Sequence, residues 1–77
     1  MLDLEEFVKT RLQDEYRRTL ESINALSNVL PRVERFVPNE LVKKEHTETL
    51  IAMRYRLEEL KVRLDDLAYF LSLPTIQ

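Results

Sequence analysis

Apolar side chains recur along the chain at alternating steps of three and four residues in two long stretches. The second stretch runs Leu50, Met53, Leu57, Leu60, Leu64, Leu67 and Leu71, which is a coiled-coil seam. The first runs Tyr16, Thr19, Ile23, Leu26, Leu30, Val33 and Val37. Two such periods in one chain predict two long helices packed along each other as an antiparallel hairpin.

The punctuation between polar and apolar runs sets the boundaries. Asp3 followed by Glu6 has the spacing of a capping box, and Leu2 could pack on Phe7 as a hydrophobic staple, so helix 1 is expected over about 4–36. Pro31 interrupts it: the ring removes a backbone donor and crowds the carbonyl of Ser27, which predicts a kink or a break. Val37, Pro38 and Asn39 form the turn at about 37–39, with Glu40 suited to a first helical turn. Helix 2 is then expected over about 40–72, ended by Pro74, with Thr75 to Gln77 fraying. At 1.5 Å per residue it should be roughly 50 Å long.

A turn near Pro38 pairs Leu26 with Leu50, Ile23 with Met53, Thr19 with Leu57, Tyr16 with Leu60 and Leu12 with Leu64. Each layer holds at least one large apolar side chain. Toward the start of helix 1 the heptad falls on Lys9 and Glu5, and the apolar stripe moves to Val8, Phe7 and Leu4, a stutter that relaxes the supercoil.

Charges beside the seam select the pairing. Arg54, Arg56, Lys61 and Arg63 flank the leucines of helix 2, so two copies of that helix would repel along it. Helix 1 offers Glu6, Glu15 and Glu34 instead, and Glu15 should approach Arg63 or Lys61.

Two surfaces remain. Val29 and Phe36 on one flank of helix 1, with Val8, and Leu20 on the other, widen its stripe as in a helix of a four-helix bundle. Tyr55, Val62 and Tyr69 form a column at seven-residue spacing opposite the seam of helix 2, rimmed by Glu58, Glu59, Asp65 and Asp66. That column is either solvated surface or a docking strip for a partner with apolar anchors and basic neighbours. Pairing of two hairpins through the flank of helix 1 extends one continuous core and leaves the column outside.

Composition narrows the chemistry. The chain has 77 residues and neither Cys nor Gly, which removes disulfides, thiol nucleophiles, zinc fingers and Gly-rich phosphate loops. One short domain, 1–77, leaves little room for a deep cavity in a monomer. No apolar run reaches the roughly 20 residues of a membrane span, and Met1 to Glu6 lack the basic start of a signal peptide, so the expected location is cytoplasmic.

The single histidine, His46, has Lys43 where a di-metal bundle site wants Glu, and it reads as a structural residue near the Ser27 carbonyl freed by Pro31. Ser22, Ser27 and Ser72 have no expected base, and Asp14, Glu21 and the acids of helix 2 fall on outer faces. No catalytic, cofactor or metal site is assigned. Arg11, Arg18 and Arg32 form an outer column on helix 1 with Arg17 and Arg35 beside it, which could track phosphates; Asp14 and Glu21 are spaced to pair with Arg11, Arg17 or Arg18, and the net charge is -2.

The residues therefore point to an all-α, non-enzymatic protein-interaction module. It is expected either to self-associate into a four-helix bundle or to serve as a small accessory subunit. The alternative is a small nucleic-acid-associated regulator using Arg11, Arg18, Arg32 and Arg35.

Overall fold

The computed structural model describes residues 3–72. Helix α1 spans Leu4–Arg35 and helix α2 spans Lys43–Ser72, joined by a non-helical stretch and one 3-10 turn, Glu40–Val42. The two helices pack against each other in a single layer 61 Å long and 16 Å thin. No helix among the described residues is long and apolar enough to cross a membrane.

Each helix starts where its cap dictates. Asp3 keeps an extended backbone, and its carboxylate accepts from the Glu5 amide at 3.0 Å while the Phe7 amide donates to the Asp3 carbonyl. The Glu6 half of the capping box makes no bond among the described residues, and the staple through Leu2 lies outside them. Asn39 repeats the device at the turn: its side chain accepts from the Leu41 amide at 3.0 Å, and its carbonyl accepts from Val42. The turn is thus tightened by Asn39, and α-helical geometry begins at Lys43 instead of Glu40.

Pro31 does not break α1, which continues as one piece of 32 residues. Pro31 and Ser27 are both exposed, so the residue whose carbonyl loses its donor faces solvent, which lowers the cost of the missing bond. The helix ends at Arg35, four residues after Pro31, and is capped by Phe36, whose amide is shared between the carbonyls of Arg32 (3.1 Å) and Val33 (3.3 Å). Arg32 and Arg35 place positive charge at this negative end of the helix dipole.

The seam is where the periodicity puts it. Thr19, Ile23, Leu60 and Leu67 are buried, and Leu12, Tyr16, Leu26, Leu30, Val33, Leu50, Met53, Leu57, Leu64 and Leu71 are half-buried. Val37 is the exception. Because α1 ends at Arg35, Val37 falls in the turn and is 87% exposed, so it is not a seam residue. Leu4, Phe7 and Val8 are also exposed, because α2 covers only one side of α1 and the displaced stripe runs off that side.

Candidate interaction surfaces

Two ion pairs bind the hairpin from opposite edges. Arg63 donates to Glu15 and Arg54 donates to Glu34, both at 2.8 Å. Arg54 and Arg63 are nine residues apart, half a revolution on a helix, so they reach α1 along the two sides of the seam. The hydrogen bond from Arg63 holds the Glu15 carboxyl below its ordinary range against the opposing effect of desolvation, with Arg63, Arg18 and Arg11 adding charge attraction. Of the two cations expected near Glu15, Arg63 takes the contact, and Lys61 lies 4.0 Å from Glu58 on its own helix.

His46 does not reach the carbonyl of Ser27. Its Nε2 lies 2.8 Å from the carbonyl oxygen of Val33. The reason is geometric: Ser27 is exposed, whereas Val33 sits on the seam in the last turn of α1, where carbonyls lack helical donors. The ring of Phe36 packs on the imidazole with centroids 5.8 Å apart.

Of the α1 flank, Leu20 is 38% exposed, Val29 is 45% and Phe36 is 59%. Beside Phe36 the tip of the hairpin adds Val37, Leu41 and Val42, all exposed. Leu41 and Val42 escape a reading based on heptads because they precede the regular part of α2, in the 3-10 turn.

On α2, Tyr55, Val62 and Tyr69 are exposed as a column, and Ile51 joins them. Four residues before Tyr55 is the same helix face, a spacing legible in the sequence. A shallow groove has Ile51, Tyr55 and Val62 as its apolar floor, with Glu58, Glu59, Asp66 and the two ion-paired arginines around it. Tyr69 lies outside this groove and packs edge-on against Phe70 at 6.1 Å.

The outer arginines of α1 divide into two groups. Arg17 lies 3.6 Å from both Asp14 and Glu21, and Arg18 lies 4.0 Å from Glu15. Arg11, Arg32 and Arg35 make no ion pair among the described residues. Nor do three His, Cys, Asp or Glu side chains converge among the described residues as a metal site would require. Compared with known proteins, the chain matches no family model, no curated protein and no solved structure.

Proposed function

We propose that this hairpin is a non-enzymatic protein-interaction module of the cytoplasm that pairs with a second copy into an antiparallel four-helix bundle, or joins a larger complex as a small accessory subunit. One observation carries the reading: Ile23, Leu60 and Leu67 are the only buried apolar residues described, while fourteen large apolar side chains are exposed. Not one large side chain among the described residues is fully buried. A two-helix layer with so little interior is marginal by itself and gains stability by covering more apolar surface. Val29 and Phe36 adjoin the half-buried Val33, and covering them together with Leu20 extends the existing seam into a second layer. A bend of α1 at Pro31 belongs to this reading, because it lets the last turn follow a curved bundle.

Sedimentation across a wide concentration range tests it, with Val29→Glu/Phe36→Glu as the variant. A dimer that this variant converts to a helical monomer supports the bundle. A wild-type monomer of partial helicity points to the accessory-subunit form, and a fully helical, stable monomer at every concentration removes the proposal.

A second reading, contact with nucleic acid, rests on Arg11, Arg32 and Arg35 being free of ion pairs on the described surface. Anisotropy of a labelled duplex at low ionic strength decides it: absence of binding there discards the reading.

A further inference from the structure

The bundle proposed above leaves the outer strip of α2 uncovered, and the ion pairs determine what that strip attracts. Its groove is ringed by acids and by Arg54 and Arg63, a mixture that looks balanced in sequence. The structure removes that balance. Both arginines are drawn to the α1 side by 2.8 Å bonds to Glu34 and Glu15, so their charge is spent at the seam. Glu59, Asp65 and Asp66 have no ion pair among the described residues, and Glu58 has only Lys61 at 4.0 Å. An apolar floor of Ile51, Tyr55 and Val62 is therefore bordered by uncompensated negative charge.

The same charges argue against a second copy of the strip as its occupant. Antiparallel pairing centred on Val62 sets Glu58 against the other copy's Asp66, and Glu59 against its Asp65. Parallel pairing in register sets every acid against itself. Like charges in facing positions oppose both arrangements.

Building on the reading of this chain as an interaction module, we infer that the strip docks an amphipathic helix of another protein, with apolar side chains at three- and four-residue steps and Lys or Arg on both flanks. Its apolar side chains cover Ile51, Tyr55 and Val62, and its cations meet Glu58, Glu59 and Asp66. From Ile51 to Tyr69 the strip runs about 27 Å at the helical rise, so five turns of partner helix span it.

The probe is a synthetic 24-residue helix with Leu at the two seam positions of each heptad and Lys at the flanking positions; the control carries Glu at those flanks. Labelled peptides are titrated with the full chain, and sedimentation of the chain alone is read in parallel. The Lys peptide should bind about tenfold or more tightly than the Glu peptide at low ionic strength, with the gap closing as salt rises. Val62→Asp should weaken the Lys peptide about tenfold with helicity and self-association unchanged, since Val62 is exposed. Glu59→Lys/Asp66→Lys should reverse the preference between peptides. Equal binding of the two peptides, no binding of either, or full binding by Val62→Asp overturns the inference. So does a Val62→Asp chain that loses its own dimer, because the strip then belongs to a second copy. A dimer that persists while the peptides fail to bind sinks the strip alone and leaves the module standing.

Discussion

The Nε2 of His46, near the start of α2, lies 2.8 Å from the carbonyl oxygen of Val33 in the last turn of α1. A carbonyl only accepts, so Nε2 carries the proton and donates it. Val33 is one of the terminal carbonyls without a helical partner, and it otherwise has only a 3.3 Å share of the Phe36 amide. The imidazole therefore caps the end of one helix from the start of the next, with the Phe36 ring against it. It fixes how the chain reverses.

His46→Ala should accordingly destabilise the hairpin by about 1–2 kcal/mol, combining a lost part-buried hydrogen bond with lost packing on Phe36. Thermal melts followed by circular dichroism measure it. His46→Leu separates the two contributions, since it restores apolar contact without the donor. A His46→Leu protein as stable as wild type would show that the bond contributes nothing.

Where that bond falls marks the limit of what the sequence reveals. Leucine spacing identifies the seam because a side chain's face on a helix depends only on its position in the repeat. Thr19, Ile23, Leu60 and Leu67 are buried for that reason. Charge placement located the Glu15–Arg63 pair in the same way, from residues flanking two aligned stripes. Val37 satisfies the period equally well, yet it is 87% exposed, because helix termination is decided by Pro38, which keeps the residue before it extended, and by the turn with its Asn39 cap, not by the repeat. His46 shows the same limit. Its position on the seam was legible, but its partner was not, because that depends on which terminal carbonyls remain free once α1 stops at Arg35. The spent charges of Arg54 and Arg63 belong to this class too, since only three-dimensional contact distinguishes a neutralised cation from a free one.

Acid should weaken the hairpin through Glu15. Its carboxyl titrates below the ordinary glutamate value of 4.5 when folded, chiefly because Arg63 donates to it. The unfolded chain therefore takes up this proton first, and stability falls as pH drops. The contribution is fully present above about pH 4.5 and disappears as pH falls through the lower folded value. Melting temperatures of wild type and Glu15→Gln, compared from neutral pH downward, isolate it from the other carboxylates. The two curves should converge in acid; parallel curves would mean that the pair adds nothing to stability.

Thr19 is the most buried polar residue described, 4% exposed, in a seam made mostly of apolar side chains. Among the described residues no buried side-chain oxygen or nitrogen is orphaned, and the Thr19 hydroxyl makes no hydrogen bond, so it occupies apolar surroundings at the margin of solvent. Thr19→Val keeps the branched shape and exchanges the hydroxyl for a methyl group. It should stabilise by about 0.5–1 kcal/mol, seen as a higher midpoint in urea with an unchanged slope. A lower midpoint would assign the hydroxyl a bond that the seam depends on.

Pro31 offers the sharpest separation between stability of one hairpin and assembly of two. It sits at an exposed position inside α1, where its ring withholds the amide that would otherwise donate to Ser27. Proline in a helix interior costs about 3 kcal/mol relative to alanine, although part of that is recovered because proline also restricts the unfolded chain. Pro31→Ala should therefore raise the melting temperature of the monomeric hairpin and leave the Val33–His46 bond in place. If α1 bends at Pro31 in the proposed bundle and so shapes the flank carrying Val29 and Phe36, the same substitution should weaken self-association in sedimentation, moving stability and assembly in opposite directions. A variant that gains stability and dimerises as tightly as wild type would remove the bend from the proposed bundle while leaving the rest of the proposed interface standing.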